Sequence, residues 1–170
     1  MRELEVAERS VAAMLAGDRA SAALGMRLES VAPGRAVMSM LVRPDMTNGY
    51  QICHGGLIAA VADTAFAAAC NTYGDVTVAA GFDITFLESA RLGDHLEARA
   101  EERARRGRSG VYDVTVVRRA TAAASETVIA EFRGRSRSLG KPISEPISEP
   151  ISEPISEPIS EPISEPISEP

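Results

Sequence analysis

Asp63 is the only acid in the segment Leu57 to Cys70, which is otherwise Ala, aliphatic, Phe and Cys apart from Thr64. A helix of that composition is apolar all round and must be buried, and a carboxylate inside it is costly to desolvate unless paired. Asp63 is therefore either a satisfied structural acid or a carboxylate tuned for chemistry. Just before this segment the chain reads Asn48-Gly49-Tyr50-Gln51-Ile52-Cys53-His54-Gly55-Gly56. A helix opening on Gly55-Gly56 presents backbone N–H groups without intrahelical partners, at the positive end of the helix dipole. With no side chain in the way, such donors suit an oxyanion hole, which acyl transfer needs where negative charge develops on a carbonyl oxygen. Paired glycines equally serve close helix packing, and the glycines alone leave both readings open.

Spacing adds a constraint. Asp63 follows Gly55 by eight positions, about 12 Å along the axis at the helical rise of ~1.5 Å per residue, beyond the reach of an Asp side chain. If Asp63 and the Gly55 and Gly56 amides serve one carbonyl carbon, they come from two antiparallel copies of the helix. That requires a homodimer with two equivalent composite sites. His54 and Asn48 are the remaining candidates before the helix, though a His beside glycines is commonly a cap or loop residue and Asn48-Gly49 is an ordinary turn signal. Cys53, His54, Cys70 and His95 lack paired-ligand spacing for zinc, no Ser sits in a nucleophile elbow, and phosphate-loop and dinucleotide fingerprints are absent. No metal or cofactor is expected.

The elements that must position these groups follow from periodicity. Leu4, Ala7, Val11 and Leu15 fall at helical spacing, with Gly17-Asp18 as a stop, and predict a short amphipathic N-terminal helix. From Ala22 the period shortens: Leu24, Met26 and Leu28 alternate, Pro33-Gly34 turns, and Met38, Met40 and Val42 alternate again. Residues 44–53 read as a loop leading into the buried helix. After Tyr73-Gly74-Asp75 four alternating runs follow: Phe82, Ile84 and Phe86; Leu96, Ala98 and Ala100; Tyr112, Val114 and Val116; Val128, Ala130 and Phe132. Gly93-Asp94 and Gly107 to Gly110 are expected as turns between neighbouring strands. The sum is an antiparallel meander, class α+β, wrapped around one long central helix that covers its apolar face.

Residues 143–170 are seven copies of Ile-Ser-Glu-Pro. Proline at every fourth position excludes helix and central strand, and one Ile per copy is too little apolar surface to order the chain. A disordered tail after a single domain of residues 1–142 is expected. Setting aside the tail's seven glutamates leaves 17 acids against 18 Lys plus Arg, so the domain is nearly neutral although the whole chain carries a formal charge of -6. Bulk charge gives no argument for a nucleic-acid partner. The apolar run from Leu57 to Cys70 is shorter than the ~20 residues of a membrane span. With no secretory leader or disulfide framework, a cytoplasmic protein without a membrane partner is the expectation.

Taken together, Asn48 with His54-Gly55-Gly56, Ala62-Asp63-Thr64, Gly110-Val111-Tyr112-Asp113 and Phe132-Arg133-Gly134-Arg135-Ser136 resemble the PaaI-type (phenylacetyl-CoA) thioesterases of the hotdog superfamily. The resemblance spans roughly residues 20 to 140. It implies the hotdog fold and hydrolysis of a small aromatic acyl-CoA, phenylacetyl or hydroxyphenylacetyl. In that reading the Gly55 amide polarises the thioester carbonyl, with Asn48 and His54 lining that half of the site. Asp63 of the other subunit is the catalytic carboxylate, attacking the carbonyl or activating water. A homodimer, paired again into a homotetramer, is likewise implied. One departure stands out: related enzymes often place a Ser or Thr near the acid from the strand after the helix, where this chain has Val78-Ala79-Ala80-Gly81, leaving Thr77 or a backbone group as substitutes.

Gly56, Thr64, Phe66, Arg108, Ser109 and Gly110 are the substrate-contacting candidates. Phe66 and the neighbouring alanines suit an acyl pocket, though core packing is their ordinary job. Arg103, Arg105, Arg106 and Arg108 flank a predicted turn, and Arg133, Arg135 and Arg137 alternate along the last strand. Most such clusters are solvated surface; the functional alternative is contact with the phosphates of coenzyme A, for which Arg108 and Ser109 are best placed. Two other readings remain. A hotdog hydratase or dehydratase needs a His beside the acid, and the helix carrying Asp63 has none. A non-catalytic acyl-CoA-binding protein usually carries a DNA-binding segment, for which residues 1–20 are too short.

Overall fold

The computed structural model describes residues 2–143. Met1 and residues 144–170, on which the expectation of a disordered tail rests, lie outside the described residues. In chain order the elements are α1 (Glu3–Ala16), α2 (Arg19–Ala23), β1 (Arg27–Ala32), β2 (Arg35–Leu41), a 3-10 turn (Pro44–Met46), α3 (Gly55–Cys70), β3 (Asp75–Phe86), β4 (His95–Arg106), β5 (Ser109–Arg118) and β6 (Thr127–Pro142). The six strands form one antiparallel sheet in the order β1-β2-β4-β5-β6-β3. Helix α3 touches all six, so the sheet wraps around a central helix as the periodicity predicts.

The core lies between α3 and the inner face of the sheet. Ile58, Val61, Ala62, Ala65, Phe66, Ala68 and Ala69 from the helix meet Met38 and Met40 of β2, Leu96 and Ala98 of β4, and Tyr112, Val114 and Val116 of β5. The many alanines of α3 let it approach the strands closely. The larger residues Met, Leu, Val and Tyr on the sheet fill the remaining space, which keeps the interior close-packed.

Four details depart from the periodic reading. Residues 19–23 form the short helix α2 where a strand was expected to begin; Asp18 caps it, accepting the Ser21 N–H at 2.9 Å, a local preference that outweighs the weak alternation around it. The strands are not a simple meander, because β3 pairs with β6 at the far edge while β2 pairs with β4. Gly93-Asp94 therefore lies in a crossing between strands that are not neighbours. On β6, Ile129 rather than Val128 is buried, and Val128 is 39% exposed. A register shift opposite Val116 and Val117 reverses the faces there. Lastly, Phe82 and Phe86 of edge strand β3 are 41% and 49% exposed in the single chain despite their regular alternation.

Ile143, the first residue of the repeat, still belongs to the folded body: its N–H donates to Gly74 O at 2.7 Å. No helix among the described residues is long and apolar enough to cross a membrane.

Candidate active site

The loop before α3 is organised by its own backbone and by Asn48. Asn48 Oδ1 accepts from the N–H groups of Tyr50 at 2.9 Å and Ile52 at 3.4 Å, an Asx turn of the kind Asn-Gly sequences favour. This leaves Asn48 Nδ2 without an acceptor among the described residues. Gln51, at φ 61°, sits in the left-handed region within the same turn. The loop is stitched to its surroundings by Cys53 N–H to Ala90 O at 2.8 Å and His54 N–H to Met46 O at 2.9 Å. The chain is thus delivered rigidly to the start of α3.

His54 is the N-cap residue, and its carbonyl accepts from Leu57 N–H at 2.9 Å. Its side chain is exposed and caps nothing, so the imidazole is free at the mouth of the helix. The Gly55 and Gly56 amides donate to no other described group, as helix geometry dictates for the first turn. The two glycines differ, however. A Cβ on Gly55 would meet Phe86 Cζ at 3.0 Å, whereas one on Gly56 would meet nothing within 4 Å. Gly55 therefore serves close packing and a free amide at once, and Gly56 keeps the approach open.

Asp63 lies in the middle of α3 and opens onto a cavity of about 400 Å³, with Ala13, Met14, Gly17, Asp18, Thr64, Ala67, Asn71, Val76 and Ile143 around it. Its Oδ1 is buried without a hydrogen-bond partner among the described residues, and desolvation raises its pKa above the ordinary carboxylate value. The residue lines the cavity while this oxygen is buried and unpartnered, so the carboxylate is not accounted for by hydrogen bonding within the fold, which makes it a candidate for chemistry. Beside it, Thr64 Oγ1 shares a hydrogen bond of 3.1 Å with Ser21 Oγ, which donates to Asp18 Oδ2 at 2.6 Å. Thr64 thus lines the same cavity as the acid, with its hydroxyl held by Ser21. Thr77 does not fill that place, since its hydroxyl donates to Asp75 O at 3.1 Å and its N–H to Asn71 Oδ1 at 2.9 Å.

Arg108, Ser109 and Gly110 lie near the C-terminal end of α3, away from the other candidates. Arg108 and Ser109 line a separate small cleft of about 50 Å³ together with Cys70, Tyr73, Tyr112 and Ser136, and Gly110 follows them on β5. Arg108 Nε donates to Ser138 O at 2.7 Å, which leaves the outer edge of the guanidinium open. Burial pushes the Cys70 thiol up to about 12, so it is not a nucleophile. Several of the other arginines have structural partners: Arg133 and Arg103 pair with Asp113, Arg135 pairs with Asp83, and Arg105 lies 3.7 Å over the Tyr73 ring. A larger hollow of about 780 Å³ has Arg103 and Asp113 on its wall and includes neither Asp63, nor the residues of the helix mouth, nor Arg108, Ser109 and Gly110.

Phe66 takes the core-packing place that the sequence offered beside the substrate contact. It is wholly buried, with Tyr112 at 5.5 Å and Phe132 at 5.8 Å between ring centroids, because its turn of α3 faces the sheet. Within the chain the structure brings Asp63 and Thr64 together at the cavity, groups Asn48, His54, Gly55 and Gly56 at the helix mouth, and sets Arg108, Ser109 and Gly110 in a third place. Met14, Asp18, Val76 and Ile143 at the cavity were not singled out from sequence. Only Asp18, three positions before Ser21, carries a local signal, that of an N-cap.

The thioesterase superfamily profile matches residues 50–124. The acyl-coenzyme A thioesterase PaaI of Escherichia coli K12 is 40% identical over 131 residues, covering 77% of this chain and 90% of that protein. Among solved structures, the E. coli PaaI protein from the phenylacetic acid degradation operon superposes with a TM-score of 0.78 at 38% identity, covering 83% of this chain and 99% of that one. A mutant of the phenylacetic acid degradation protein PaaI from Thermus thermophilus gives 0.66 at 34% identity, covering 72% of this chain and 100% of that one.

Proposed function

Because this chain belongs to the thioesterase superfamily and is an acyl-CoA thioesterase of the hotdog fold, we propose that it hydrolyses a small aryl-acetyl thioester, phenylacetyl-CoA or hydroxyphenylacetyl-CoA, in the cytoplasmic breakdown of phenylacetate. The working unit is a homodimer, paired again into a homotetramer. Each site joins the Gly55 and Gly56 amides, Asn48 and His54 of one protomer to Asp63 and Thr64 of the other. The observation that carries this reading is Asp63, a cavity-lining acid with a buried, unpartnered Oδ1, on the same helix as the free amides but about 12 Å from them along the axis.

The exposed aromatic residues of β3 support the dimer. A long edge strand with Phe82 and Phe86 uncovered is a template for pairing with a second copy. Phe86 rests on Gly55, so pairing along β3 brings the partner to the helix mouth.

In the reaction the thioester carbonyl oxygen accepts from the Gly55 amide, where charge develops as the tetrahedral species forms. Asp63 acts by one of two routes. Its carboxylate attacks the carbonyl carbon, CoA leaves as thiolate, and water hydrolyses the resulting anhydride; or it takes a proton from the water that attacks directly. Both give the free acid and CoA, and neither needs a strong general acid, because a thiolate departs readily. We assign the CoA phosphates to Arg108, with Ser109 and Gly110, because the outer edge of its guanidinium stays open beyond the bond to Ser138 O. Asp63→Asn tests the reading: the fold and oligomer persist while kcat falls by about 10²–10⁴-fold. A fully active variant would overturn it.

A further inference from the structure

The cavity beside Asp63 has two chemically distinct parts. Its polar lining is Asp18, Asn71, Thr64 and Asp63, and three of these are already engaged with the protein. Asp18 accepts from Ser21 N–H and Oγ at 2.9 and 2.6 Å. Asn71 Nδ2 donates to Thr77 O at 2.7 Å while its Oδ1 accepts from Thr77 N–H. Thr64 Oγ1 is held by Ser21. Asp63 has no hydrogen bond to any described residue, and its Oδ1 is buried. The rest of the wall is apolar: Ala13, Met14, Ala67, Val76 and Ile143. At about 400 Å³ the space is at the small end of ligand pockets, which run roughly 300–1,000 Å³.

Resting on the assignment of Asp63 to catalysis, we propose that this cavity receives the acyl group, and that Met14 and Ile143 are the specificity-determining residues that limit its length. These two are the large flexible and branched side chains of the wall, contributed by the two ends of the folded chain. The mostly apolar wall favours an aromatic or aliphatic acyl group, while the carboxylates of Asp18 and Asp63 keep acceptor capacity for a hydroxyl on its ring. Met14 is held in place because α1 runs into the Asp18 corner, which the Ser21–Thr64 hydrogen bond ties to α3 beside the catalytic acid. Ile143 is held by its N–H bond to Gly74 O at 2.7 Å. The first residue of the repeat tail thus acts as a wall of the pocket.

The test compares kcat/KM for phenylacetyl-CoA and for 6-phenylhexanoyl-CoA, which carries the same ring on a longer chain, in the full-length protein and in Met14→Ala and Ile143→Ala. Each truncation is expected to raise the ratio of long to short substrate by about tenfold or more, the range that a few methylene contacts give in a pocket. Met14→Ala removes packing as well as a wall, whereas Ile143 lies at the end of the fold, so Ile143→Ala keeps the test decisive if the first variant misfolds. An equal change on both substrates, or a ratio within about twofold of wild type, overturns the proposal; a shift with Met14→Ala alone overturns the part played by Ile143. Asp63→Asn in parallel separates the two readings: loss of turnover there with unshifted ratios sinks the wall and leaves the catalytic assignment standing, while an active Asp63→Asn sinks that assignment itself.

Discussion

The ring of Phe86 rests on Gly55, so that a Cβ at position 55 would lie 3.0 Å from Phe86 Cζ. An edge-strand aromatic and the first residue of the central helix are thereby fixed to each other, and the amide proposed to receive the oxyanion is held at the end of the strand through which a second copy would pair. The contact is with the far end of a half-exposed ring, which can yield to a modest intrusion.

Gly55→Pro deletes the proposed donor with little damage to the helix. Proline is well tolerated at the first helical position, and His54 already has the extended conformation that precedes a proline, with φ −58° and ψ 130°. The expected outcome is an unchanged circular dichroism spectrum with kcat lower by about 10²–10³-fold, the usual cost of losing one oxyanion donor. Mixing Gly55→Pro with Asp63→Asn after subunit exchange should then restore about a quarter of wild-type activity. Half of randomly paired dimers are mixed, and each mixed dimer rebuilds one of its two sites. Sites confined to one chain would give no recovery.

The raised pKa of Asp63 fixes the sign of two pH effects. Folding takes up a proton that the unfolded chain releases, so the stability linked to this group is fully present below the unfolded pKa of about 3.8 and is lost as pH rises through the higher folded value. Asp63→Asn should therefore melt a few degrees above wild type near pH 7, and the difference should close toward pH 3. Thermal melts across that range would check it. In the active protein, kcat/KM should rise with pH through an apparent pKa above the ordinary carboxylate range, because both proposed routes require the ionised acid.

Gly134 tests how tightly the helix is pressed on the sheet. A Cβ there would come within 2.8 Å of Phe66 Cδ2 and Cε2, and Phe66 is already clasped by Tyr112 and Phe132. Gly134→Ala should cost about 1–3 kcal/mol through overpacking, read as a lower urea midpoint with an unchanged slope. A neutral result would mean that the ring has room to move.

Much of this molecule is legible in its sequence because periodicity reports which faces must be buried. The apolar run with one acid predicts the central helix and singles out Asp63, and alternation places Met38, Leu96, Ala98 and Val114 in the core where they are found. The helical rise separates Asp63 from Gly55 without reference to any structure. Phe82 and Phe86 were expected on a covered face by the same alternation, yet they are half exposed in the single chain, since alternation cannot tell a face buried by the same chain from one awaiting another.

What the sequence determined by itself was local: which segments are helix or strand, where the acid and the glycines fall along the chain, and which family they resemble. Tertiary structure alone decided the strand order that carries β3 to the far edge, the register shift that buries Ile129 instead of Val128, the seating of Phe66 in the core, and the meeting of Met14, Asp18, Asp63 and Ile143 around one cavity. Side-chain periodicity encodes only the distance between neighbours on one element. Contacts between residues far apart in the chain depend on how the whole sheet closes on its helix.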